Sequence, residues 1–112
     1  MSRVTNVILT FSLDEEEAIR ELSTALTAFT WYGGRPLTDA AEVDGLVAGS
    51  KAMECGICLG AFNYFDLSEF LTAIRNTSWK YPCELQLFIK EQEDDWFRQV
   101  HDFEGAVKRR SA

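Results

Sequence analysis

Val4-Thr-Asn-Val-Ile-Leu-Thr-Phe-Ser-Leu13 runs into Asp14-Glu15, and Cys58-Leu-Gly-Ala-Phe-Asn-Tyr-Phe65 runs into Asp66-Leu-Ser-Glu69. The two stretches share a plan: an apolar, β-rich run, a short polar residue, and a Glu three positions further on. Ser12-Leu-Asp-Glu15 and Asp66-Leu-Ser-Glu69 therefore read as capping boxes. In such a box the first side chain accepts from an orphan backbone N–H at the helix start, and the Glu reaches back to the cap's own N–H. Two strand-to-helix junctions in one short chain predict a duplicated β-then-α architecture.

Working outward, residues 3–11 form a strand in which Val7, Leu9 and Phe11, with Leu13 beyond, share the parity of a core face. Ala18, Ile19, Leu22, Ala25, Leu26 and Phe29 make the single stripe of a helix over residues 14–29. The acids Asp14 to Glu17 suit the positive end of its dipole. Residues 30–41 are a loop punctuated by Gly33-Gly34 and Pro36, and Val43, Leu46 and Val47 suggest a short strand over residues 43–47. Ala48-Gly-Ser-Lys51 has the composition of a hairpin turn, and residues 52–65 form the next strand, weakened or bulged at Gly56 and Gly60. Leu67, Phe70, Leu71 and Ile74 are the stripe of a second helix over residues 66–76, and Pro82 blocks its continuation. Leu85, Leu87 and Ile89 alternate with polar residues in a strand over residues 84–91.

The C-terminal part admits two readings. Trp96, Phe97, Val100, Phe103 and Val107 fit a helical stripe over residues 95–109, flanked by Asp94-Asp95 and Lys108-Arg109-Arg110 in the order the dipole favours. A hairpin strand over residues 96–103 is the alternative. The order β-α-β-β-α-β, with an extra C-terminal helix or strand, gives an α+β two-layer sandwich of ferredoxin-like type, with helices on one face of an antiparallel sheet. The expected core is Leu22, Leu26, Phe29, Phe70, Leu71, Ile74, Leu85, Leu87 and Ile89.

A chain of 112 residues, 46% apolar and 26% charged, has ordinary globular usage for a single domain over residues 1–112. A domain of this length buries roughly two thirds of its unfolded surface, enough for a self-sufficient core. Three Trp, three Tyr and eight Phe are not the composition of a disordered chain. Eighteen acids against eleven bases give a formal charge of −7 and a pI near 4.6. Non-specific nucleic-acid binding rests on Lys and Arg neutralising phosphates. The one basic cluster here is Lys108-Arg109-Arg110, so neither direct nucleic-acid binding nor attachment to an anionic membrane is expected. No apolar stretch approaches the roughly 20 residues of a membrane helix, and Met1-Ser-Arg3 leads into a run broken by Thr5, Asn6 and Thr10, unlike an export signal. The expectation is a soluble, cytoplasmic protein.

Several constellations invite chemistry. Cys55-Gly-Ile-Cys58 is a C-x-x-C, but in redox enzymes that motif opens a helix, whose dipole lowers the first thiol's pKa. Here it lies in a β-like run, where positions three apart face opposite sides. With Cys83 and His101 it could compose a Cys₃His zinc set, without the second knuckle that usually completes one. Both readings give way to small buried cysteines, and no metal or cofactor is expected. His101 as a catalytic base would need a nucleophile and an orienting carboxylate, and no catalytic residue is nominated. Gly33-Gly34-Arg35 could cradle a phosphate but lacks the P-loop's Lys-Ser/Thr.

Two features point to a partner. Glu91-Gln-Glu-Asp-Asp95 sets Glu91, Glu93, Asp94 and Asp95 in one short segment, more carboxylates than a helix cap can use. Trp31 and Tyr32, beside Arg35, are loop residues of the types that anchor interfaces, although such aromatics also fold back as lids on a core.

The first functional expectation is a small acidic interaction protein, of immunity or inhibitor type, binding a partner with a basic surface through Trp31, Tyr32, Arg35, Glu91, Glu93, Asp94 and Asp95. Such association would be salt-sensitive. The second is a ferredoxin-like module that binds a small ligand, for which a homodimer is compatible, and which a metabolite would stabilise thermally. The third is a metal or redox site at Cys55, Cys58 and His101, marked by stoichiometric metal or a depressed thiol pKa.

Overall fold

A computed structural model describes residues 3–33, 49–51, 53–101 and 107–109. Alternation shapes the first strand, β1 (Val4–Phe11): Thr5, Val7, Leu9 and Phe11 are buried on one side, while Val4, Asn6, Ile8 and Thr10 point to the other. The helix α1 (Glu16–Leu26) follows, then a single 3₁₀ turn at Thr30–Tyr32, the strand β2 (Gly56–Asn63) and the helix α2 (Leu67–Asn76). A two-residue strand β3 (Ser78–Trp79) and a 3₁₀ turn at Pro82–Glu84 lead into β4 (Gln86–Glu91), β5 (Arg98–Val100) and a short β6 (Lys108–Arg109).

One four-stranded sheet has the order β2-β1-β4-β5, every neighbour antiparallel. The first strand of the chain is therefore central, held by strands that come later in the sequence. Its register sets Leu9 between Cys58 and Leu87, and Val7 between Gly60 and Ile89. On that face Val7, Leu9, Phe11, Cys58, Leu87, Ile89 and Val100 form one buried cluster with Ala18, Ile19, Leu22 and Leu26 of α1 and Phe70, Leu71, Ala73 and Ile74 of α2. Both helices thus cover one face. β2 and β4 run the same way with β1 between them, so β2-α2-β4 is a split β-α-β crossover. A Cβ on Gly56 would run into the Phe11 ring, which fixes glycine at the point where β2 enters the sheet.

The expected core residues are buried except Phe29, which is half-buried against the cluster. Leu13 is 50% exposed, because β1 ends at Phe11 and strand alternation stops with it. The ferredoxin-like order places the second strand of the chain at one edge; that expected strand, residues 43–47, lies outside the described residues. The described order differs from the expectation by carrying β5 beside β4. What the structure has is an α+β fold with a four-stranded antiparallel sheet and two helices.

β5 also decides the C-terminal reading. A tight turn folds residues 98–100 back on β4, with Leu87 opposite Val100 and Phe88 opposite Gln99. Residues 95–101 therefore do not form the expected helix, and of the apolar positions in that stretch only Val100 is buried. No helix among the described residues is long and apolar enough to cross a membrane.

The capping boxes are half kept. Asp66 caps α2, its Oδ1 accepting from the Glu69 N–H at 3.1 Å. Glu69, however, does not bond back to Asp66; its Oε1 accepts from the Trp31 indole N–H at 2.9 Å. In the first box Ser12 caps nothing, and the residue before α1 is Glu15, which makes no side-chain cap bond. Its carboxylate, 2% exposed, accepts from the backbone N–H groups of Lys80 at 2.9 Å and Tyr81 at 3.0 Å. Each glutamate is drawn from a local donor to a distant one, and each ties a helix start to another part of the chain.

Candidate interaction site

The end of the sheet where β1 begins and β2 and β4 finish gathers the surface features. β4 ends at Glu91 and the chain reverses through a turn in which the Asp94 N–H donates to the Glu91 carbonyl at 2.9 Å. The Asp94 Oδ2 accepts from the Glu91 N–H, also at 2.9 Å, so its carboxylate braces the turn from within. Gln92 Oε1 accepts from the Val4 N–H at 3.1 Å, and Arg3 pairs with Glu91 at 3.2 Å. The turn is therefore laced to the first residues of the central strand.

That bracing sorts the four acids. Glu91 and Asp94 are engaged within the protein, while Glu93 and Asp95 are exposed. The aromatics that follow are exposed too: Trp96 to 75% and Phe97 to 39%. On the other side of β1, Tyr64 is 68% exposed and holds a positive φ of 55°, its N–H donating to the Arg3 carbonyl at 3.1 Å. A left-handed backbone is uncommon for a bulky residue. Here the Arg3 bond fixes the turn that ends β2. Asn63 pairs with Val4 and Glu91 with Thr5, so Tyr64 and the acidic turn flank the start of β1 roughly 10 Å apart, two strand spacings.

Trp31 and Tyr32 take a different place. They are 8% and 4% exposed and belong to the core. The Trp31 ring stacks on Phe29 at 5.6 Å and meets the edges of Phe62 and Phe65 at 5.3 and 4.7 Å, an arrangement aromatic quadrupoles favour. The Tyr32 hydroxyl lies 3.2 Å from Ser23 Oγ. Burial outcompetes exposure because the 3₁₀ turn carries both rings against Phe62, on the helix-covered face. Arg35 and Gly34 lie outside the described residues. The exposed aromatics Tyr64, Trp96 and Phe97 were not singled out from the sequence as contact residues. An aromatic pair directly after an acidic turn was the signal available for two of them.

The remaining constellations are dispersed. Cys58 is buried on the helix-covered face, Cys55 precedes β2 and Cys83 is exposed; all three are free thiols. Among the described residues no three His, Cys, Asp or Glu side chains converge as a metal centre requires. The apolar void beside Cys58 and Gly60, with Val7, Leu9 and Phe70 around it, measures about 10 Å³, room for no more than one water. At the opposite end of the sheet Asp14, Glu15, Glu16, Glu17 and Lys80 line a polar cleft of about 90 Å³. There the Asp14 carboxylate accepts from the Lys80 ammonium at 2.9 Å.

That bond raises the Lys80 pKa above its ordinary 10.5, aided by the nearby charges of Asp14 and Glu17 and opposed by partial desolvation. A raised folded-state value means that the pair stabilises the fold fully below pH 10.5 and ceases to as pH rises through the raised value. NMR titration of the Lys80 Nζ is expected to give a midpoint above that of a free lysine, and Asp14→Asn to bring it back. An unchanged midpoint in the variant would assign the shift elsewhere.

No protein-family model, no curated protein and no solved structure matches the chain.

Proposed function

We propose that this is a small acidic interaction protein, of immunity or inhibitor type, that binds a partner protein with a basic surface. The contact surface is the sheet end that carries Glu93, Asp95, Tyr64, Trp96 and Phe97. The observation that carries this reading is the division of labour in the acidic turn. Glu91 and Asp94 make it rigid, while Glu93 and Asp95 are left pointing outward beside exposed rings. Carboxylates held on a rigid hairpin lose little entropy on binding and steer a basic partner at long range. Aromatic rings beside them supply apolar area for the contact itself.

The test is affinity capture from the source cells with two baits, the native chain and a Glu93→Gln, Asp95→Asn, Trp96→Ala variant. The expected result is a basic protein retained by the first bait, lost from the second and released by salt. On-rates for that protein should fall at least about tenfold in the variant at low ionic strength and converge at high. Equal on-rates for the two chains at both ionic strengths would refute the proposal.

A further inference from the structure

We propose, resting on the basic-partner reading above, that the cation this surface takes is arginine, presented as two guanidinium groups on one extended segment of the partner. Carboxylates alone attract any cation, so Glu93 and Asp95 by themselves leave lysine and arginine nearly equal. The rings beside them decide. Trp96 follows Asp95 directly in the chain and is 75% exposed. It is the one indole of three that the fold does not bury, since Trp31 is 8% exposed and Trp79 has no exposed surface. Tyr64, across the start of β1, is 68% exposed. A ring open to water discriminates between the two cations. An ammonium is compact and strongly hydrated, and it keeps its water unless a site encloses it. A guanidinium is planar and weakly hydrated, so its face stacks on an open ring while its edge donates paired hydrogen bonds to a carboxylate.

The backbone at Tyr64 is a separate observation that points the same way. Its φ of 55° is left-handed, a conformation that glycine adopts freely and asparagine more readily than a bulky residue. Packing does not offset the strain, because two thirds of the side chain lies in water. The turn therefore holds an aromatic ring out in solvent at a conformational cost, and stacking of a ligand on that ring offsets it. Spacing sets the form of the ligand. Tyr64 and the acidic turn stand on either side of β1, roughly 10 Å apart. In a polyproline II segment, positions three apart lie on one side of the chain at roughly 9 Å. Two arginines at that interval reach Tyr64 with one guanidinium and Trp96 with the other.

NMR titration of the full chain at low ionic strength tests this with two probes: a short proline-rich peptide carrying two arginines three positions apart, and the same peptide with lysines. The Trp96 indole N–H is the reporter, because those of Trp31 and Trp79 are held inside by Glu69 and the Ile74 carbonyl. The expected result is that the arginine peptide binds at least about fivefold tighter than the lysine peptide and shifts the Trp96 signal. In a Tyr64→Leu, Trp96→Leu double variant, followed through the Asp95 amide, the ratio should fall below about twofold with the lysine affinity unchanged. Both positions are exposed, and circular dichroism establishes that the variant keeps its fold. Equal, salt-sensitive affinities for the two peptides would overturn the arginine inference while leaving the basic-partner reading intact. A preference for arginine that survives the double substitution would overturn it, and so would the absence of binding by either peptide at about 10 mM. The capture experiment judges the basic-partner reading separately.

Discussion

Trp79→Ala should lower the free energy of unfolding by about 3–5 kcal/mol. Trp79 has no exposed surface and is the largest of the fully buried side chains. Its ring lies 6.1 Å from that of Phe11, closing the end of the core where β1 finishes, and its indole N–H donates to the Ile74 carbonyl at 3.0 Å, near the end of α2. Truncation leaves a cavity of indole size and removes one of two donors to the Ile74 carbonyl, which keeps the Thr77 N–H at 3.2 Å. Trp79→Phe should cost less, since most of the apolar volume remains and only the hydrogen bond is lost. Urea denaturation of the three chains checks this, and a loss below about 1 kcal/mol for the alanine variant would show that the site collapses around the gap.

Glu15→Ala should cost about 2–4 kcal/mol, through a mechanism that has nothing to do with apolar area. It removes the acceptor for two backbone N–H groups, those of Lys80 and Tyr81, beside a carboxylate that is 2% exposed. A buried donor left without a partner costs about 1–3 kcal/mol, and water entering the polar cleft next to it would recover part of that. Hydrogen exchange distinguishes this from a general loss of packing. The amides of Lys80 and Tyr81 should lose protection beyond the global drop. Glu15→Gln should lie close to alanine, because one of its two terminal atoms becomes a donor facing a donor. Equal protection changes throughout the sheet would refute the local account.

The two glutamates mark where reading from sequence stops. Helix stripes such as Leu22 with Leu26, or Phe70 with Leu71 and Ile74, were legible because each depends only on the period of its own helix and on burial. The same holds for Val7, Leu9, Leu87 and Ile89 on their strands. Glu15 and Glu69 stand in sound capping positions, but a carboxylate can serve a local N–H or a distant one. The choice depends on whether Lys80 and Trp31 arrive within reach, which no local pattern encodes. Trp96, Phe97 and Val100 are spaced so that a helix and a hairpin both accommodate them. The decision was made by Asp94, whose side chain closes the turn after β4 and sends the chain back as β5. Of the candidate site, the acidic segment was visible as composition, yet which two of its four acids face outward required the bonds of the turn. Trp31 looked like a surface anchor only because the rings that enclose it, Phe62, Phe65 and Phe70, lie more than thirty positions later.

The central position of β1 governs the order of events during folding. Its partners are far downstream: Leu9 waits for Cys58 on one side and Leu87 on the other, and Thr5 pairs with Glu91. When the chain leaves the ribosome from its N-terminus, a strand bearing Val7, Leu9 and Phe11 is thus made first and completed last. Long sequence separations of this kind slow folding by requiring large loops to close before contacts form, and antiparallel sheets dominated by them fold in roughly milliseconds to seconds. Until β4 is made the strand keeps an apolar face and at least one unpaired edge, the condition in which nascent chains stick to one another. Synthesis of residues 86–91 is the step that ends this vulnerability, so truncation before β4 is expected to yield an aggregating fragment instead of a smaller stable domain.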